Sequence, residues 1–314
     1  METDFTELVG CRHPLQQAAM GGVSVPELAG AVAGAGALGM LCEFGVEAAA
    51  DRMTRALDLA GGGAVGMGFF GHWIGTDLGN FEVAAARLRV VEVFWTDPDP
   101  AIVQRARRAG PALVAWQVGS VDGALAAADA GCDFVIVQGV EAGGHVRGTT
   151  PRQELVASVL ARISIPVVAA GGIATAEHVA AAISAGAAAV RVGTRFVATE
   201  ESGAHPAYVA ALLSARSAQD TMLTTAFCGG WPDAPHRVLR SAVAAAEAAG
   251  GGVVGHLVAN GQRTPIARFE VSTPSRNVEG NVAAMALYAG EGVGDVHEVR
   301  PAAAVVADLV AQLG

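Results

Sequence analysis

The residues best suited to chemistry lie together in Gln138–Gly148, which reads Gln-Gly-Val-Glu-Ala-Gly-Gly-His-Val-Arg-Gly. Four of the eleven are glycine, so the backbone there can approach a bound group closely or take positive φ. His145 is the titratable centre, and an unperturbed imidazole (pKa ~6.5) takes up and releases protons near neutral pH. Glu141 and Arg147 flank it. Glu141 is expected to pair with His145 or Arg147, or only to fix the loop. The loop leaves an apolar run, Phe134-Val135-Ile136-Val137, that reads as a buried strand. A glycine-rich turn with a solvated histidine is the alternative reading.

Two further stretches have the composition of an anion cradle. Ala169-Ala170-Gly171-Gly172-Ile173-Ala174-Thr175 runs into a helical pattern, and Arg191-Val192-Gly193-Thr194-Arg195-Phe196 follows an apolar run. Glycine amides at a helix N-terminus bind anions through free N–H groups and the helix dipole. Thr194 adds a hydroxyl, and Arg191 or Arg195 adds charge. Plain strand–helix turns would have the same composition. A phosphate here belongs to a phosphorylated substrate or to flavin mononucleotide (FMN). Ala18-Ala19-Met20-Gly21-Gly22 and Gly66-Met67-Gly68 are small enough to let a flat ring lie against them. Gln117 and Gln138, each closing an apolar run, can bond a ring carbonyl or nitrogen. Amides around an open floor suit a planar cofactor better than a sugar phosphate being deprotonated.

Other residues carry weaker signals. His72 and Trp73 either line a site mouth or sit in a surface loop. Gly229-Gly230-Trp231-Pro232-Asp233-Ala234-Pro235-His236-Arg237 either closes over substrate or forms a rigid prolyl corner. Tyr208 and Tyr288 offer at most a lid hydroxyl. His13, His178, His256 and His297 read as ordinary surface or satisfied histidines. No His/Cys/Asp/Glu spacing suggests a metal, and no Gly-x-Ser-x-Gly elbow is present.

The elements that must position these residues alternate strictly. Strands are expected at Leu15–Met20, Ala37–Leu41, Ala64–Phe69, Val90–Trp95, Ala112–Val118, Asp133–Gln138, Ile165–Ala170 and Ala188–Val192. Helical patterns lie between them at Val25–Ala35 (capped by Ser24), Val46–Ala60, Phe81–Leu88, Asp97–Ala109, Val121–Ala130, Pro151–Arg162 and Thr175–Ala185. The strands are apolar nearly throughout, as parallel strands covered on both faces are. Eight such units predict a closed α/β (β/α)8 TIM barrel, with an open doubly wound sheet as the alternative. The active site then falls at the C-terminal strand ends, with a phosphate site after strands seven and eight. Beyond about Thr199 the pattern breaks until Arg300–Leu313, an amphipathic helix. The expected division is therefore a barrel of residues 1–200 and 295–314 and a capping, substrate-binding insertion of residues 201–294 after strand eight.

Composition limits the partners. Hydrophobic residues make up 52% of the 314 and charged ones 16%, which excludes a disordered chain. The net charge of −10, with no basic cluster, argues against nucleic acid. No apolar run approaches the ~18 residues of a membrane span. Cys11, Cys42, Cys132 and Cys228 are scattered and fit reduced thiols, and Met-Glu-Thr-Asp-Phe-Thr-Glu does not read as a signal peptide; a cytoplasmic location is expected.

Four motifs together resemble the nitronate monooxygenase family, formerly called 2-nitropropane dioxygenases. They are Pro14-Leu-Gln-Gln-Ala-Ala-Met-Gly21, Gln138-Gly-Val-Glu-Ala-Gly-Gly-His145, Pro166-Val-Val-Ala-Ala-Gly-Gly-Ile173 and Val192-Gly-Thr-Arg-Phe196. The resemblance implies an FMN-binding barrel that oxidises alkyl nitronates with O2. By resemblance Met20, Gln138, Gly143, Gly144, Gly171, Gly172, Gly193 and Thr194 would contact FMN; Ala19, Gly21, Gly68 and Gln117 join them as expected cofactor neighbours. His145 matches the family histidine proposed to take the α-proton of a neutral nitroalkane. Three departures stand out: Ala19 where the family usually has proline, Gly68 where it usually has asparagine, and an extra residue between His145 and Gly148. The resemblance extends to FMN-dependent, NAD(P)H-using enoyl-acyl-carrier-protein and quinone reductases. Expected partners are a small-molecule substrate and O2, or NAD(P)H on that alternative, with the chain a monomer or homodimer.

Overall fold

The computed structural model describes residues 1–43, 48–74 and 78–313, without the side chains of His72 and Trp73. The start of the expected Val46–Ala60 helix therefore lies outside the described residues; its described part is Ala49–Ala60.

The apolar runs form β1 (Leu15–Gln17), β2 (Gly39–Cys42), β3 (Val65–Phe70), β4 (Val90–Phe94), β5 (Leu113–Val118) and β6 (Phe134–Gln138), then a two-residue strand β7 (Gly144–His145), then β8 (Val167–Ala170) and β9 (Ala189–Val192). All but β7 lie in one parallel sheet of eight strands, ordered β1-β9-β8-β6-β5-β4-β3-β2. Its two ends meet where Leu38 N–H donates to Leu15 O (2.9 Å) and Gln17 N–H donates to Leu38 O (3.0 Å). The Gln17 side chain extends the seam by accepting from Met40 N–H at 2.9 Å. The sheet is thus a (β/α)8 barrel.

Alternation along each strand divides the core in two. Met40, Val90, Ala115, Phe134, Ile136, Val168 and Ala189 fill the barrel interior. Val91, Val114, Trp116, Val135, Val137, Val167 and Val190 face outward into the helix layer. A short helix, Asp4–Val9, closes the bottom, with Phe5 edge-on to Phe134 at 5.4 Å. The surrounding helices start on local signals: Asp99 with Pro100, Ser120 and Thr175 are N-caps. The closing helix, Ala302–Leu309, packs against Pro26–Gly34 and Ala176–Ser184 and completes the outer ring.

Two local expectations fail. The first strand stops at Gln17, and Ser24 caps no helix. Instead the Ser24 hydroxyl accepts from Met20 N–H (2.9 Å) and Gln17 Nε2 (2.8 Å) and donates to Ala18 O (3.1 Å). These bonds bend Ala18–Gly21 out of the strand and across the barrel mouth.

The segment after β9 is more regular than its sequence suggests. It contains helices Pro206–Ser214 and Arg240–Ala248 and strands β10 (Thr221–Thr224), β11 (His236–Leu239), β12 (Val253–Ala259), β13 (Gln262–Ala267) and β14 (Val278–Gly280). They form two antiparallel sheets, β10-β11-β7 and β13-β12-β14. The first incorporates the His145 loop, with His145 opposite His236 and Gly144 opposite Arg237.

Candidate active site

A cavity of about 900 Å³ opens at the C-terminal ends of the barrel strands, beneath the segment that follows β9. Ala19, Met20 and Gly21 border it from the bend after β1, and Gln117 and Gln138 from the ends of β5 and β6. Gly143, Gly144 and His145 border it from the central loop, Gly171 and Gly172 from the turn after β8, and Gly193 and Thr194 from the turn after β9. Gly68 is the exception. It lies behind Ala19, where an added Cβ would stand 2.5 Å from the Ala19 Cβ. Its smallness serves the packing of the bend, and it does not reach the cavity.

The central loop is held by close backbone approach. A Cβ on Gly143 would lie 2.4 Å from Gly290 N, and one on Gly148 would lie 2.1 Å from Gly119 O. Gly144 takes φ +74° with open space around it, so its glycine serves conformation alone. Gln138 Nε2 donates to His145 O at 2.9 Å, so that amide secures the loop with one of its two N–H groups while bordering the cavity. Glu141 pairs with neither His145 nor Arg147. Both its oxygens accept the Arg152 N–H at 2.9 Å, at the start of helix Arg152–Leu160. Arg147 pairs with Asp97 at 2.6 Å and donates to Thr96 O at 2.7 Å.

His145 is about 9% exposed and sits in an aromatic box. Its ring stacks on Trp231 at 3.9 Å and 22°, with Trp95 edge-on at 5.6 Å and Tyr288 tilted at 5.6 Å. Trp231 is in turn edge-on to Phe70 and Trp95, both at 5.0 Å. Each such aromatic pair contributes about 0.5–1.5 kcal/mol beyond its buried area, enough together to fix the imidazole plane. The stretch around Trp231 brings that side chain to the cavity and against His145. Wholly buried His236 spans it: Nε2 accepts from Phe227 N–H (3.2 Å), which leaves Nδ1–H to donate to Ala234 O (2.8 Å). That tautomer is neutral, and burial holds the His236 pKa below the ordinary histidine value.

Neither tyrosine presents a free hydroxyl. Tyr208 donates to Tyr288 O at 2.5 Å and Tyr288 donates to Val271 O at 2.8 Å. Burial raises both pKa values, that of Tyr288 further through its neighbour Tyr208. They brace the cavity wall and do not act as acids. His205 Nδ1 accepts from Ala207 N–H at a helix start, away from the cavity. The side chains of His72 and Trp73 lie outside what is described.

The arginines expected at the phosphate turns are engaged elsewhere. Arg195 Nη1 donates to Ala198 O (3.2 Å) and Glu298 O (3.3 Å). Arg191 projects into the barrel and pairs with Glu92, whose other oxygen accepts from Gln16 Nε2 at 2.9 Å. Glu92 is 2% exposed and Arg191 8%. This buried cluster lies under the cavity floor and Arg191 reaches its edge. Sequence reading passed over Glu92. The available signal was one carboxylate in an apolar strand, Val-Val-Glu-Val-Phe, which burial permits only with a partner. Arg152 was also missed; it braces the turn after β8 by donating to Gly171 O.

What remains suits a flat ring with an anionic tail. The Gln117 side chain is 3% exposed, borders the cavity and has no hydrogen-bond partner among the described residues. The N–H groups of Gly172 and Gly193 likewise meet no acceptor among the described residues, and Thr194 Oγ1, which accepts from Gly290 N–H at 3.0 Å, keeps its own proton to donate. Among the described residues no His/Cys/Asp/Glu group could hold a metal ion, and no helix is long and apolar enough to cross a membrane.

The chain is similar to several known proteins. The profile of the nitronate monooxygenase family matches residues 2–60 and 79–312. A Pseudomonas aeruginosa protein named nitronate monooxygenase is 32% identical over 273 residues, covering 72% of this chain and 77% of that protein. A Rhodococcus jostii protein named (3aS,4S,5R,7aS)-5-hydroxy-7a-methyl-1-oxo-octahydro-1H-indene-4-carboxyl-CoA dehydrogenase is 34% identical over 250 residues, covering 77% of this chain; the chain spans 66% of its length. Among solved structures, nitroalkane oxidase from Streptomyces ansochromogenes aligns with TM-score 0.75 and 30% identity over 99% of this chain and 98% of that one. FabK from Thermotoga maritima aligns with TM-score 0.76 and 26% identity over 99% and 96%.

Proposed function

The chain belongs to the nitronate monooxygenase family, and from that premise we propose that it is an FMN-dependent oxidoreductase that oxidises alkyl nitronates with O2. The observation that carries the reading is the cavity itself: open glycine amides and an unpartnered Gln117 on one side, and His145 in its aromatic box at the mouth. FMN, when bound, supplies the electron transfer between substrate and O2.

The protein's part is to hold and to manage a proton. Gly172, Gly193 and Thr194 would hold the phosphate tail through N–H and hydroxyl donors. Gln117 would bond the polar edge of the ring, and the small residues of Ala19–Gly21, Gly143 and Gly144 would leave it room. His145, presented at the mouth by β7 and fixed by Trp231, accepts the α-proton of a neutral nitroalkane or orients a nitronate that arrives deprotonated. Residues 201–294 act as a cap that excludes water. The enzyme is cytoplasmic and works as a monomer or homodimer.

A visible spectrum of the purified protein and oxygen uptake with an alkyl nitronate test this. Protein that takes up no FMN, or flavin-loaded protein inert to every nitronate, refutes it. His145→Ala should abolish turnover of neutral nitroalkanes and spare the flavin spectrum. A second reading, an NAD(P)H-dependent reductase of an enoyl thioester or quinone, draws on the relative named as a CoA-ester dehydrogenase. Rapid bleaching of the flavin by NADH or NADPH without oxygen would favour it.

A further inference from the structure

The cavity has a wall that the cofactor and the proton chemistry leave unused. The β13-β12-β14 sheet is two-faced. Leu257, Ala259, Thr264, Ile266 and Val278 border the cavity, and of these only Thr264 is polar. Leu257 stands opposite Thr264 and Val278 in the register, so these residues share one face. The other face carries His256, Val258 and the exposed Arg263–Glu279 ion pair at 3.0 Å. The sheet has thus turned its apolar side inward, as a sheet covering a core does.

Protein covers only part of that side. Ile266 and Val278 are buried in the core, whereas Leu257 and Ala259 are only half-buried although they face inward and border the cavity. Uncovered apolar surface on a concave wall, continuous with a reaction site, is characteristic of a ligand-binding wall.

We propose that the apolar face of β12, β13 and β14 is a substrate-body site, selecting nitronates whose anionic end lies at His145 and whose body is an extended alkyl chain. Leu257 is its specificity-determining residue. The proposal rests on the nitronate reading for the reacting end only; the apolar body site stands on the sheet.

Straight-chain carboxylates test it, because a carboxylate is planar and anionic like a nitronate yet does not react. Calorimetric titration of the flavin-loaded protein with butanoate, hexanoate, octanoate and decanoate should show Kd falling by about fourfold per added methylene. Leu257→Ser should bind butanoate as wild type does and flatten the dependence for the longer chains. Val258→Ser, on the opposite face, should keep the wild-type slope and controls for damage to the sheet. A Kd independent of length in the wild type, or equal slopes in the two variants, overturns the proposal. Oxygen uptake with nitronates of the same lengths separates it from the functional reading. Uptake with one kcat/KM at all lengths leaves the nitronate reading standing and sinks the body site. Tightening carboxylates with no nitronate oxidised does the reverse.

Discussion

Breaking the Glu92–Arg191 pair should unfold the protein at markedly lower temperature, and breaking both halves together should not. Glu92 is 2% exposed and Arg191 8%, so water cannot replace a lost partner. In Arg191→Met the Glu92 carboxylate retains only the Gln16 Nε2 bond of 2.9 Å; in Glu92→Leu the guanidinium is left without its carboxylate. Removing one member of a buried pair costs about 3–5 kcal/mol, because an uncompensated charge stays in a poorly solvating interior. At the lower end of ~2–4 °C per kcal/mol, suited to a chain of this length, each single variant should lose about 6–10 °C in Tm. The double variant Glu92→Leu/Arg191→Met trades the pair for apolar volume and should recover to within about 1–2 kcal/mol of wild type, a coupling of several kcal/mol. Thermal unfolding followed by circular dichroism at one scan rate, with urea titration alongside, measures all four proteins. Singles that lose less than about 1 kcal/mol, or a double variant that loses the sum of the singles, would refute the assignment of a buried, mutually dependent pair.

Three further outcomes follow from the same structure. Gly143→Ala must force backbone apart, since its Cβ meets Gly290 N at 2.4 Å, whereas Gly144→Ala meets only the cost of φ +74°, about 1–2 kcal/mol; urea titration should rank Gly143→Ala as clearly the more damaging. Burial lowers the His236 pKa, so the unfolded chain binds a proton that the folded protein refuses; stability is whole above pH ~6.5 and declines as pH falls, by at most about 1.4 kcal/mol per unit, and His236→Gln should remove this part of the slope in unfolding measured from pH 7.5 to 5. Burial pushes the thiols of Cys11 and Cys132 up to about 12, while Cys228 is exposed, so a thiol reagent at pH 8 should label Cys228 first in the native protein, as peptide mapping can verify.

Much of the architecture could be read in advance because it depends on local repetition. Eight apolar runs alternating with alanine-rich helices leave few arrangements open, and the glycine turns at Gly171–Gly172 and Gly193 sit where a barrel keeps its strand ends. What escaped were pairings across sequence distance. Glu92 and Arg191 lie on strands β4 and β9, and nothing near either names the other, so Arg191 stood beside Arg195 as an alternative charge for a phosphate. Glu141 lay close to two attractive partners, yet the free N–H at the start of the next helix claimed both its oxygens. Gly68 was read as open floor at a strand end, and only packing shows that its missing side chain makes room for Ala19. The segment after β9 looked irregular because its strands are short and one of its sheets borrows β7 from the barrel loop.

That borrowed strand bears on how such proteins can exchange parts. The pairing of Gly144 and His145 with Arg237 and His236 makes the loop that carries the histidine the edge of a sheet supplied by later sequence. Replacing residues 201–294 with the matching segment of a relative would cut through a strand pair and remove Trp231 from the face of His145. A workable graft must carry β11 in register and bring an aromatic residue to the same spot. The proposed cap and the histidine loop are one unit of inheritance, and recombination between them should favour crossovers on the far side of both.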